Sequence, residues 1–126
     1  MVDEGVAACV NVLCISSGAI VGALLRYSLD LLAKFLQLAP FHIIFVNVLG
    51  SFLIGVVYSK QSLQLIDLNT SLFLSVGFCS SFTTFSSYAL QAVLLLEKSS
   101  FWQFVLFFTL NNSLCLLAAF VAKEYV

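Results

Sequence analysis

The sequence predicts an all-α integral membrane protein of four transmembrane helices. Three observations predict it: a composition suited to lipid, four apolar stretches of spanning length, and a hydroxyl-rich third stretch that points to a break in its helix. Of 126 residues, 62% are hydrophobic and 9% charged, with a mean hydropathy of +1.12. A soluble domain runs at about half apolar and about a quarter charged, so the solvent here is a bilayer. A net charge of -1 without a basic cluster lacks the electrostatic footprint that nucleic-acid binding requires.

The charges divide the chain into spans at residues 6–27, 41–58, 70–96 and 101–122, each to be compared with the roughly 20 residues that cross a hydrocarbon core of about 30 Å. The first is preceded by Met1 to Gly5, which carries Asp3 and Glu4 and has no basic n-region. Its apolar run is also too long for a signal peptide's h-region, so a retained helix is expected. Between the spans lie polar punctuations: Arg26 to Pro40 with Asp30 and Lys34, Ser59 to Asn69 with Lys60 and Asp67, and Glu97-Lys98-Ser99-Ser100. Connections this short make one up-and-down bundle, a single domain over 1–126.

Orientation is read from Lys and Arg in the loops. Lys60 and Lys123 fall on one side, Lys34 and Lys98 on the other, with Arg26 near a boundary. A small protein with few charges gives this balance, and so does a chain that inserts both ways and pairs with an inverted copy of itself. Four short helices enclose a pathway poorly, which independently favours a dimer.

Metal and enzyme chemistry find little support. Cys9, Cys14, Cys79 and Cys115 lie within predicted spans without a C-x-x-C pair, and His42 is the only imidazole. Such thiols are expected as small apolar residues. No carboxylate sits in the core of a span, so a hydrolytic site is not expected.

Polar residues at membrane depth are costly and ask for a reason. Asn47, in "FVNVLGSFLIG", offers an amide to an anion or to a neighbouring helix; the helix-bonding use is common and worth about 1 kcal/mol or less. In the third span, "SSFTTFSS" strings together side chains that compete for backbone hydrogen bonds. Either the hydroxyls bond back to carbonyls in an intact helix, or the helix breaks and aims free carbonyls at a hard monovalent cation. Ser81, Phe85 and Tyr88 share one helical face, as do Thr84, Tyr88 and Gln91, interleaving rings with donors. Ring edges are electropositive, so an anion passes such a face weakly held, as conduction needs. With thirteen phenylalanines, ordinary packing also produces aromatic faces.

"GALLRY" (Gly22 to Tyr27), "VNVLGSFLIG" (Val46 to Gly55) and "GFCSSFTTFSSY" (Gly77 to Tyr88) resemble, in order and spacing, three signatures of the Fluc, or CrcB, fluoride channels. The resemblance implies an antiparallel dual-topology dimer in a prokaryotic plasma membrane, its third helix broken mid-membrane, with two fluoride pathways and a central structural sodium ion, exporting fluoride passively from the cytoplasm. By position, Asn47 matches the pore amide and Phe85 the first of two pore phenylalanines, while Tyr88 replaces the second. The sodium ligands fall on the carbonyls of Ser80 and Thr83. Ser80 and Ser81 stand where the family usually has two glycines, which matters only if a positive φ is needed there. Arg26 matches an arginine at the aqueous entrance. Ile43 and His42 replace a threonine and a glycine, and the fourth-helix polar track falls on Phe107, Asn111 and Cys115. Thr84, Ser87 and Asn111 join Asn47 as candidate fluoride donors. Preference for fluoride over chloride follows from the resemblance alone, and the lost pore positions admit a heterodimer with a paralogous subunit as well as a homodimer.

Two other classes compete. A proton-coupled exporter of the small multidrug-resistance type needs a carboxylate embedded in its first helix, and Val6 to Leu25 contains none. A non-conducting partner subunit would use Asn47 and the Ser/Thr run only to bind helices together.

Overall fold

A computed structural model describes residues 2–98 and 100–126, and among these all regular structure is helical. Helix α1, Val2–Phe35, carries Asp3 and Glu4 in its first turn and Lys34 in its last, signs that complement the helix dipole. Its 34 residues span roughly 50 Å at 1.5 Å per residue, more than a hydrocarbon core needs. The connection expected over residues 26–40 is therefore helical as far as Phe35, because no glycine or proline interrupts it before Pro40. Asp30, within that extension, pairs with His42 Nε2 at 3.1 Å and ties α1 to the start of the second helix.

Helix α2, His42–Ser62, is the central one, burying Ile43, Ile44, Val46, Asn47, Gly50, Gly55 and Val57. It outlasts the expected 41–58 span by a turn. Both α1 and α2 stop in the same way. Gln37 (φ 57°) and Gln64 (φ 56°) adopt the left-handed conformation, and the next residue's N–H reaches back five residues: Leu38 to Ala33 O at 2.9 Å, Leu65 to Lys60 O at 2.9 Å. This is the Schellman stop, normally supplied by glycine.

The third span comes in pieces. Helix α3, Leu68–Ser71, is capped by Asp67, whose side chain accepts from the N–H groups of Asn69 and Thr70. A π-helical stretch, Leu72–Cys79, follows, then a single turn, α4, Ser80–Phe82. Thr83 is extended (φ −76°, ψ 160°), and helix α5, Phe85–Lys98, resumes beyond it. Ser80 has φ −65°, and positive φ occurs among the described residues only at Gln37 and Gln64, so serine at 80 and 81 is unstrained. Helix α6, Phe101–Tyr125, starts from Ser100, whose hydroxyl accepts from Trp102 N–H at 3.3 Å. Ser99, part of the polar punctuation before it, lies outside the described residues, as does Met1.

Among the described residues, four helical runs are long and apolar enough to cross a membrane, so the chain is a multi-pass membrane protein. Helices α1 and α6 leave Leu13, Ile20, Leu24, Leu116 and Phe120 exposed, as lipid-facing surfaces do. Lipid tails are as apolar as these side chains, so close packing and hydrogen bonds must hold the bundle. The packing is tightest where α1 crosses the π-helical stretch. A Cβ on Gly18 would collide with the Phe73 carbonyl, one on Gly22 with the Phe78 carbonyl, and one on Gly77 would sit 2.6 Å from Ile15 O. Helix α2 lies against α6, and α5 packs on both, meeting them in the cluster of Ile43, Ile44, Tyr88, Ala92 and Phe107.

Because Gln64 occupies a left-handed position that costs a side chain roughly 1–2 kcal/mol, Gln64→Gly should raise stability, by at most about 1 kcal/mol after the added flexibility of the unfolded chain is subtracted. A thermal-unfolding shift in detergent measures it. The Thr70 hydroxyl bonded to Asp67, helped by nearby backbone N–H groups, holds that carboxyl below its usual range despite some desolvation. A carboxyl with a lowered pKa stabilises fully above its unfolded value, about 3.9, and loses that contribution as pH falls through the folded value. Asp67→Ala should therefore lower the melting temperature at pH 7, with its difference from the wild type shrinking as pH is taken progressively below about 3.9.

Candidate functional site at the interrupted third span

The interruption is held from outside by one side chain. In a continuous helix, Thr84 N–H would donate to Ser80 O; here it donates to Asn47 Oδ1 at 2.9 Å. Asn47 returns a longer bond, Nδ2 to Thr84 O at 3.4 Å, and a second to Asn111 Oδ1 at 3.1 Å. The Thr84 hydroxyl then accepts from Ser87 N–H at 3.1 Å, the N-cap arrangement for α5. The Ser/Thr run thus ends one helix and starts the next, while Thr83 Oγ1 bonds back to Cys79 O at 2.8 Å.

These bonds fix which way each amide faces. A backbone N–H can only donate, so the atom of Asn47 facing Thr84 N is its oxygen; its nitrogen must then be a donor, and the atom of Asn111 it meets must be oxygen. The amide hydrogens of Asn111 are consequently left unclaimed among the described residues. Asn47 and Asn111 are 7% and 6% exposed, and both line a cavity of about 320 Å³ with Gly50, Ser51, Thr84 and Phe85. No charged side chain lines it. A Cβ on Gly50 would strike the Thr83 methyl group, so glycine lets α2 lie directly against the interruption.

The same diversion frees two carbonyls. Ser80 O loses Thr84 N–H to Asn47, and Thr83 O loses Ser87 N–H to the Thr84 hydroxyl. Neither accepts another hydrogen bond among the described residues. Ser80 and Thr83 both line the cavity. Uncommitted carbonyl oxygens suit a hard monovalent cation, so the residues present fit such an ion.

The other expected residues divide. Phe85 lines the cavity with its ring 78% exposed. Tyr88 is only 3% exposed and packs at 5.7 Å from Phe85, 5.5 Å from Phe107 and 6.3 Å from Phe108, ring to ring. Ser87 contributes its backbone to the cap, and its side chain is exposed. Of the fourth-helix track, Asn111 and Cys115 reach the cavity whereas Phe107 is fully buried beside Ile43 and Tyr88. Arg26 is half-buried on α1, outside the cavity and without an ion pair among the described residues. Sequence reading passed over Ser51, which follows Gly50 on the same helix, and Asn112, whose partner lies 24 positions away.

Residues 13–123 match the family described as "CrcB-like protein, Camphor Resistance (CrcB)". The chain is 39% identical over 113 residues to the fluoride-specific ion channel FluC of Campylobacter jejuni, covering 88% of this chain and 93% of that one. It is 37% identical over 120 residues to the FluC of Shewanella amazonensis, covering 92% and 95%.

Asn47→Ala leaves Thr84 N–H buried without an acceptor and removes the donor to Asn111, at about 1–3 kcal/mol per orphaned group. A loss of roughly 2–4 kcal/mol is expected in denaturant or thermal unfolding. Asn47→Ala matching the wild type would mean that the interruption holds itself.

Proposed function

Because the chain belongs to the CrcB family of fluoride-specific ion channels, which is not an enzyme class, we propose that it conducts fluoride passively and exports it from the cytoplasm across the cell membrane. The observation that carries the reading is the uncharged, donor-lined cavity at the interruption. The Asn111 amide, held by Asn47, and the Phe85 ring line it without a fixed cation that would hold an anion too tightly. Small, strongly hydrated fluoride needs donors that replace its water closely, and amide hydrogens held at a fixed angle do so without rearranging. With no carboxylate lining the cavity, flow follows the electrochemical gradient.

A second, inverted copy completes the site in this reading. Phe85 stands almost wholly exposed beside a polar cavity that opens on the surface of a single copy, and a partner packed there would turn an open groove into a pathway. The freed carbonyls of Ser80 and Thr83 support a sodium ion shared at the centre of that dimer, where its charge would bind the two interrupted helices together.

Liposomes loaded with fluoride and reconstituted with the purified protein should release it, as read with a fluoride electrode, while retaining chloride. Asn47→Asp places a like charge in the path and should slow release by a hundredfold or more, on the order set by a repulsion of about 3–4 kcal/mol. Phe85→Ile, which removes the ring edge, should slow it several-fold. Fluoride retained by wild-type liposomes would contradict a channel built from this chain alone. Exchange of sodium for a bulky organic cation should lower the thermal stability of the dimer.

A further inference from the structure

Two thiols stand on the walls of the cavity at the interruption, and neither the hydrogen-bond clamp nor the proposed anion path uses them. Cys79, 3% exposed, closes the π-helical stretch, and Cys115, half-buried, lies on α6. Both line the same uncharged space of about 320 Å³. Helix register brings them to one level of the bundle. Asn47 bonds to Asn111, and a Cβ on Gly55 would sit 2.6 Å from Ala119 O, so α2 and α6 run side by side in the same direction and in step. Ser51 and Cys115 lie midway along that step, and their side chains meet. The third span runs the other way: Thr84 N–H reaches Asn47, and the Thr83 methyl lies where a Gly50 side chain would be. Cys79, one turn before Thr83, therefore comes level with Ser51, one turn after Asn47.

A buried cysteine is by itself a small apolar residue, and two sulfurs fall short of the four ligands that a closed zinc site takes. A soft monovalent ion is satisfied by two. Sulfur ligands select such ions over the hard cations that prefer oxygen, and no lysine or arginine lines the cavity to repel one. We propose that Cys79 and Cys115 together bind a soft, thiophilic monovalent cation of the copper(I) class, and that the bound ion plugs the cavity. Binding releases one proton: one thiol gives its hydrogen to water as its sulfur bonds the metal, and the second sulfur donates a lone pair as a neutral ligand. The assembly then carries no net charge, which burial in lipid favours. The hard cation suited to the carbonyls of Ser80 and Thr83 needs oxygen, so the two sites are chemically distinct. The binding stands on the thiols alone, whereas the plugging rests on the fluoride pathway proposed above.

Silver ion, as the nitrate in chloride-free buffer, is the probe. Cys9→Ser and Cys14→Ser together remove the thiols of α1, so that only the cavity pair remains. That protein should bind one silver ion per chain by isothermal titration calorimetry in lipid nanodiscs, and sodium at high concentration should not displace it. Adding Cys115→Ser, at a half-buried position already beside a hydroxyl, should weaken binding by roughly a hundredfold or more, the advantage two linked ligands hold over one. Cys79→Ala tests the other sulfur, and thermal unfolding shows that the variants compared retain the fold. In fluoride-loaded liposomes, silver should stop efflux from the cavity-pair protein and dithiothreitol should restore it. Either single-thiol variant should resist silver, each judged against its own silver-free rate. Silver held as tightly by a single-thiol variant, or displaced by sodium, would overturn the shared site. Silver held by both thiols in protein that conducts undiminished would overturn the plug. Protein that binds silver on both thiols but releases no fluoride even in its absence would uphold the silver site and overturn the channel reading, the plug with it.

Discussion

One hydrogen bond, from Thr84 N–H to the Asn47 side chain, is the constraint on which the rest of this site depends. A helix in lipid keeps its backbone bonds to itself because no water is there to replace them. Breaking it requires a substitute acceptor for each N–H and a purpose for each released carbonyl. Asn47 supplies the acceptor for Thr84, and the Thr84 hydroxyl supplies one for Ser87. The released carbonyls of Ser80 and Thr83 and the oriented amide of Asn111 follow from those two diversions. Two released carbonyls and one oriented amide thus arise from one local event.

The remainder of the bundle serves to bring that event against α2. Glycines at 18, 22 and 77 let α1 and the π-helical stretch approach to backbone contact, and Gly50 admits the Thr83 methyl. Helix α2 buries one face from Ile43 to Val57, which makes it the post that the interrupted span leans on. The exposed apolar surfaces of α1 and α6 are left to lipid, and Phe85 to whatever covers the cavity. Tyr88, Ile43 and Phe107 pack as one cluster beside it.

Much of this was legible in the residues themselves. Hydropathy and charge placed four spans, and the cost of burying amides and hydroxyls singled out Asn47 and the SSFTTFSS run. Of the two uses weighed for Asn47, the helix-bonding one is what the structure displays, since it joins α2 to the residue before α5 and to α6. The span ends were less legible. Gln37 and Gln64 stop their helices in a conformation glycine usually marks, so nothing in the sequence announced Phe35 and Ser62 as the last residues. Pairings across the bundle, such as Asn112 with Tyr88, depend on how α5 lies against α6, which no periodicity encodes.

The clamp itself is open to direct observation. Scalar coupling across hydrogen bonds, measured by NMR on isotope-labelled protein in lipid, reports which carbonyl carbon receives the Thr84 N–H. Coupling from Thr84 nitrogen to Asn47 Cγ is the expected result, with slow amide exchange at Thr84. Coupling to the Ser80 carbonyl instead would mean an unbroken helix, and the freed carbonyls and the oriented Asn111 amide would go with it.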